Sequence, residues 1–197
     1  MADRSLLQVI IGSTRPGRAG LPITRWFLPI AQAHPAFDVE LIDLLEVGLP
    51  LLDEPNHPAA GNYVHEHTLQ WSATISRGDA YVFVLPEYNH AMNAAAKNAF
   101  DYLHREWKHK AIGFVSYGGV ASGTRAVQVA RAVATSLSMV PVYEGVNIPF
   151  FRQYMSPEGV FVPDTRLEES ALVMLNSLAV WDSALRALRR DAGPRHG

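Results

Sequence analysis

Leu6-Leu7-Gln8-Val9-Ile10-Ile11-Gly12-Ser13-Thr14-Arg15-Pro16-Gly17-Arg18 is the stretch from which the fold can be read. A short run of strand character empties directly into glycine, hydroxyl side chains and two arginines, and a helical pattern follows over residues 21–33. Strand, tight loop and helix in that order turn the loop amides and the positive end of the helix dipole toward one point. Arg15 and Arg18 add planar, bidentate donors suited to phosphate oxygens. The alternative is a plain strand-to-helix turn in which Ser13 or Thr14 only caps the helix, but a cap leaves both arginines unexplained.

Two glycine-rich designs are excluded by spacing. Gly12 and Gly17 stand as in a Walker A loop, but Arg18 and Ala19 occupy the places of the obligatory Lys and Ser/Thr. A dinucleotide fingerprint would need glycine at position 14, where Thr14 stands.

Outward from this loop, short apolar runs alternate with segments of helical period. Strands are expected over 6–11, 37–44, 80–85, 111–116 and 139–146, and helices over 21–33, 66–77, 91–105, 124–137 and 167–190. Little alternation within the strands is the mark of a parallel sheet covered on both faces. The expected architecture is α/β: a three-layer, doubly wound five-stranded parallel sheet of order 2-1-3-4-5, with helices on both faces. Pro141 suits an edge strand, because it removes a ladder donor. Pro29 should kink or split the first helix. Thr165 to Glu168 has capping-box spacing for the last helix. The proline-rich stretch 49–62 reads as a surface loop and 191–197 as a frayed tail, leaving one domain over 1–190.

The bulk numbers set limits. At 197 residues the chain can bury a sizeable single core. A formal net charge of −2 offers no general attraction to nucleic acid or anionic membrane, so an anion site must be local. With no cysteine, disulfides and thiolate chemistry are excluded. The start lacks the apolar core of a signal peptide and no stretch approaches a membrane span, so a cytoplasmic setting is expected.

In such a sheet the ligand crevice lies at the carboxyl ends of the strands, where the strand order reverses. That rule gathers Ser13, Thr14, Arg15 and Arg18 with Pro86, Glu87, Tyr88 and Asn89, and with Ser116, Tyr117, Gly118 and Gly119. A phosphate loop, an aromatic-bearing loop and a glycine pair suit a mononucleotide carrying a flat ring, on which Tyr88 and Tyr117 could pack.

At these residues the chain resembles the NAD(P)H-dependent FMN reductases. The resemblance is carried by Gly12-Ser13-Thr14-Arg15-x-x-Arg18, by Pro86-Glu87-Tyr88-Asn89-His90, by Lys97-Asn98-Ala99-Phe100-Asp101 and by Ser116-Tyr117-Gly118-Gly119. It implies a flavodoxin-like fold, FMN as cofactor and NADPH or NADH as hydride donor, with flavin, quinone, azo or chromate acceptors. By position it implies Ser13, Arg15 and Arg18 at the FMN phosphate, residues 86–89 along the ribityl chain and ring, and 116–119 against another side of the ring. It also implies a homodimer or homotetramer formed beside the flavin. Phe100, Tyr102, Leu103 and Trp107 span more than one helix face and are expected to be exposed there in part. Ala91-Met92-Asn93 departs from the small or hydroxyl residue followed by proline that many members carry, which bears on the ring wall. No obligate catalytic side chain is expected, because the protein's task is to stack two rings and tune the flavin.

Competing readings carry less. A flavodoxin-like electron carrier would hold FMN without using pyridine nucleotide, but the near-neutral charge lacks the one-sign field such carriers present. A phosphate-binding hydrolase lacks a paired nucleophile and base. His65 and His67, two apart, should face different sides of a helix, with no metal expected. Ser122 reads as a helix cap, Lys97 and Asp101 as an i,i+4 pair, and residues 107–110 as a solvated turn.

Overall fold

The computed structural model describes residues 4–191. The elements are β1 (Ser5–Ile11), α1 (Gly20–Ala33), β2 (Phe37–Asp43), α2 (Leu44–Val47), α3 (Glu66–Arg77), β3 (Ala80–Tyr88), β4 (Ala91–Met92), α4 (Ala94–Asp101), β5 (Ala111–Tyr117), α5 (Thr124–Ser136), β6 (Val140–Pro141), β7 (Val146–Ile148) and α6 (Thr165–Asp191). The main sheet runs β2-β1-β3-β5-β6, all parallel, which is the expected order. Alternation along the strands creates two half-cores. Ala80, Val82 and Val84 of β3 pack with α1 and α6, whereas Tyr81, Phe83 and Leu85 pack with α3, α4 and α5. On β3, small and β-branched residues fill the first face, and two aromatic residues and a leucine fill the second. The expected tail over 191–197 lies outside the described residues beyond Asp191.

The sheet has seven strands rather than five. The expected fifth strand is two pieces, because the chain leaves β5 after Pro141 and rejoins it at Val146, opposite Val115. Arg131 stabilises the departure by donating to the carbonyls of Val142 at 2.5 Å and Tyr143 at 2.9 Å. The extra strand β4 comes from Asn89 and His90, whose φ angles of 50° and 65° turn the chain back on itself. Ala91 and Met92 then pair with Tyr88 and Glu87. Two left-handed residues between paired strands make a tight hairpin that usually announces itself as Asn-Gly, so this one was hidden. The helix expected over 91–105 therefore begins only at Ala94 and ends at Asp101.

Other expectations are corrected by burial and capping. Phe100, Tyr102, Leu103 and Trp107 are all buried in the aromatic half-core and present no surface for association. Helix α1 runs unbroken through Pro29, which stands on its exposed side; Ile23, Phe27 and Ala31 bury the other. The cap of α6 is Asp164, whose Oδ1 accepts from the Leu167 amide at 2.9 Å; Thr165 already lies inside the helix. Ser122 is a left-handed turn residue (φ 57°) and not a side-chain cap. His65 and His67 stack at 5.2 Å because His65 precedes α3, and both rings meet Asp53. Among the described residues, α6 is long and apolar enough to cross a membrane, which the sequence reading overlooked. Its inner face packs Leu167, Ala171, Met174 and Leu178 into the first half-core.

The supposed solvated turn after Trp107 is largely interior. Lys110 is buried, and its ammonium donates to the carbonyl of Ile75 at 3.0 Å and to the Tyr81 hydroxyl at 2.8 Å. Burial brings its pKa down to about 7. A depressed lysine pKa means that the unfolded chain binds the extra proton between about pH 7 and 10.5. This group should therefore add stability as pH rises from about 7 to 9, by at most about 1.4 kcal/mol per pH unit. That range lies below the one in which unfolded tyrosines ionise and the buried Tyr81, Tyr102 and Tyr117 hydroxyls, whose pKa values burial raises, act in the opposite sense. Urea unfolding at intervals between about pH 7 and 9 should show a steeper rise in the wild type than in Lys110→Met.

Candidate functional site

Arg15-Pro16-Gly17-Arg18 closes the loop after β1 as a tight turn, with the Arg18 amide donating to the Arg15 carbonyl at 3.1 Å. Proline followed by glycine at φ 67° is the chemistry such a turn requires. Ala19, at the N-cap of α1, offers no capping side chain, so the Gly20 and Leu21 amides at the start of α1 have no side-chain cap from it. Pro22 carries no amide hydrogen, and the Ile23 amide already donates to the Ala19 carbonyl at 3.2 Å. Arg18 folds inward: it pairs with the buried Asp43 and donates to the Ser13 carbonyl at 3.0 Å. The loop is thereby locked by one arginine, while no carboxylate holds the Arg15 guanidinium among the described residues. Asp43 also caps α2 through the Leu45 amide at 3.0 Å, tying the end of β2 to the same loop.

Beside this loop lies a cavity of about 550 Å³ lined by Arg15, Arg18, Pro86, Glu87, Tyr88, Tyr117 and Gly118, among others. Seven of the residues singled out from the sequence thus share one hollow. Ser13 is buried just behind it, its hydroxyl 3.2 Å from the Tyr88 hydroxyl. Thr14 opens instead onto a neighbouring hollow with Leu45, Leu49, Leu51 and Ala94. Asn89 is the hairpin turn residue described above. Ser116 is turned into the protein, donating to the Ser122 carbonyl at 2.8 Å and contacting Asn147. Gly119 is not among the lining residues of this hollow; its carbonyl accepts from the Phe150 amide at 3.1 Å and so ties down the third wall described below.

Glu87 holds the far wall together. Its carboxylate accepts from the Arg125 guanidinium at 2.9 Å and from the Arg125 amide at 3.2 Å. It thereby serves the N-terminus of α5, whose own N-cap, Gly123, supplies no side-chain bond. The Tyr117 hydroxyl lies close to Gly20, at the start of α1. Burial pushes its pKa up, so it stays a neutral phenol.

The sequence reading missed a third wall. Phe151, Arg152, Met155 and Gly159, from the connection between β7 and α6, also line the cavity. Phe151 packs edge-on to Tyr117 at 5.4 Å between ring centroids. No motif marks this connection. Its one legible signal is the cluster Phe150-Phe151-Arg152-Gln153-Tyr154-Met155, unusually aromatic for a loop.

These donors and surfaces fit FMN. Arg15 and the N-terminal end of α1 would hold its phosphate, and Tyr88, Tyr117, Phe151 and Met155 would offer surface to its flat ring. The NADPH-dependent FMN reductase family matches residues 6–153 of the chain. The chain belongs to this family. An NAD(P)H-dependent FMN reductase of Schizosaccharomyces pombe is 38% identical over 145 residues, covering 72% of each chain. One from Nectria sp is 32% identical over 150 residues, covering 73% of this chain and 75% of its own. Among solved structures, the flavoenzyme NAD(P)H:acceptor oxidoreductase FerB of Paracoccus denitrificans superposes with a TM-score of 0.72 at 19% identity, over 91% of this chain and 98% of its own. Flavodoxin 1 of Bacillus cereus superposes at 0.54 with 13% identity, over 89% and 98%. At such identities the superpositions establish the flavodoxin-like fold alone.

Proposed function

We propose that this reductase carries electrons from NADPH or NADH, by way of bound FMN, to a small oxidised acceptor such as a free flavin or a quinone. The observation that carries the reading is the single cavity in which the Arg15 loop, the start of α1 and three aromatic side chains meet. FMN, when bound there, accepts hydride and passes electrons onward. With a quinone the balance closes as NAD(P)H, a proton and the quinone giving NAD(P)+ and the quinol. The protein's own part is to hold and to shield. Arg15 and the α1 amides bind phosphate, and the Arg18–Asp43 pair keeps their loop in shape. Glu87, through Arg125, sets the wall formed by Gly118 and its neighbours. Tyr117, Phe151 and Met155 exclude water from the ring region.

One compact phosphate loop suits FMN better than FAD. Arg15→Ala should weaken FMN by roughly 2 kcal/mol, the scale of a charge-assisted hydrogen bond, and leave the unfolding midpoint unchanged. Fluorescence titration of apo-protein with both flavins tests this. Equal affinity for FMN and FAD, or an unaffected Arg15→Ala variant, would sink the assignment.

The reading extends to a cytoplasmic homodimer, paired beside the site. Leu45 and Leu51, 53% and 80% exposed, flank the hollow onto which Thr14 opens, and a second copy covering them would place the subunit boundary next to the phosphate loop. Sedimentation should give twice the chain mass, and Leu45→Glu should shift it toward monomer. A monomeric wild type with full activity would contradict the pairing.

A further inference from the structure

We propose that Arg152 recognises a phosphate of the incoming nicotinamide nucleotide, an assignment that rests on the oxidoreductase reading above. Three arginines line the cavity: Arg15, Arg18 and Arg152. Asp43 holds Arg18, and Arg15 belongs to the loop that faces the open end of α1. Arg152 comes from a different wall, is exposed, and makes no ion pair or hydrogen bond through its side chain among the described residues. FMN brings one phosphate, which the Arg15 loop is built to take. A second unpaired guanidinium on a separate wall of the same cavity calls for a second anion. An exposed position suits a molecule that arrives and leaves at each turnover.

The backbone beneath Arg152 gives an independent indication. Phe150 stands in the left-handed region at φ 41° and ψ 49°, a conformation costly for a bulky residue with a β-carbon. It is held there from several sides. Its amide donates to the Gly119 carbonyl at 3.1 Å, the Phe151 amide donates to Gly118 at 3.3 Å, and the Gln153 amide donates back to Phe150 at 2.8 Å. The Phe151 ring meanwhile packs on Tyr117. Strain that the surroundings over-determine in this way concentrates where position serves a ligand. Here it anchors the turn bearing Arg152 to the Gly118–Gly119 backbone expected beside the ring. An uncharged acceptor such as a quinone has no use for that guanidinium; a dinucleotide, with its pyrophosphate and in NADPH a further phosphate, does.

The test is calorimetric titration of FMN-loaded protein with NADP+ and with NAD+, for the wild type, Arg152→Ala and Arg152→Lys, with FMN titrated onto each apo-protein. Arg152→Ala should weaken nucleotide binding roughly ten- to hundredfold, and Arg152→Lys should retain much of it as a point charge. FMN affinity and the KM for a quinone acceptor should stay within about twofold, on the scale of variation at additive, independent sites. A loss confined to NADP+ places the contact on the adenosine 2′-phosphate, and an equal loss for both places it on the pyrophosphate; either supports the assignment. Unchanged affinity for both nucleotides overturns it, and so does a loss of FMN affinity. If NADPH and NADH both leave the flavin of the wild type oxidised, the oxidoreductase reading itself fails, an outcome separate from either.

Discussion

Trp107→Ala should lower the unfolding free energy by about 3–5 kcal/mol, the range for emptying a fully buried indole site. Trp107 is 0% exposed and touches Trp71, Tyr81, Phe83 and Phe100, with ring centroids 5.1 to 6.3 Å away. Its indole Nε1 donates to the Phe100 carbonyl at 3.3 Å, so truncation also strips that buried acceptor of a partner. Sequence spacing alone placed Trp107 at an association surface, and the two placements differ in outcome. Urea denaturation should show the full loss, while sedimentation of the variant under native conditions should give the same mass as the wild type. A small stability loss with a shift in mass would put Trp107 back at an interface.

Gly123→Ala should be comparably severe, with a second effect on the cofactor. Gly123 sits at φ 81°, and a β-carbon there would stand 2.7 Å from the Tyr117 amide nitrogen and 2.8 Å from the Ser116 β-carbon. Backbone atoms of a central strand cannot step aside as a flexible side chain would. Strain and overpacking together should cost about 2–4 kcal/mol. The same displacement would push Tyr117 and Gly118 toward the cavity and pull the Ser122 carbonyl from the Ser116 hydroxyl. FMN affinity should fall together with stability, unlike Arg15→Ala, where affinity falls alone. Thermal unfolding with and without FMN separates the two cases; a Gly123→Ala protein of wild-type stability would contradict the close packing of this turn.

Strand order and the two-sided core were legible because they rest on period and on apolar runs, and β1, β3 and β5 carry both strongly. The loop after β1 and its place beside the cavity were legible for a similar reason: strand, glycine, hydroxyl residues and Arg-Pro-Gly-Arg in that order have few structural uses. What escaped were features decided by contacts across the fold. Asn89 and His90 form a hairpin without the usual glycine, and that concealed β4 and lengthened the expected helix. Trp107 and Lys110 look like surface residues in sequence, because nothing local shows that α3 and β3 supply their surroundings. Arg15 and Arg18 are alike in the motif, and only Asp43, at the end of β2, shows that Arg18 is held by a carboxylate while Arg15 is not. The Arg152 wall lies in a long connection whose course depends on the Gly118 and Gly119 carbonyls, which sequence spacing does not reveal.

Anaerobic mixing of FMN-loaded protein with NADPH or NADH, followed through the visible flavin absorption, tests the central claim most directly. The account predicts bleaching by at least one nucleotide as fast as steady-state turnover, and recovery of colour when a quinone is added without oxygen. Bleaching by dithionite but by neither nucleotide would contradict it, and would leave the protein an electron carrier on the same fold.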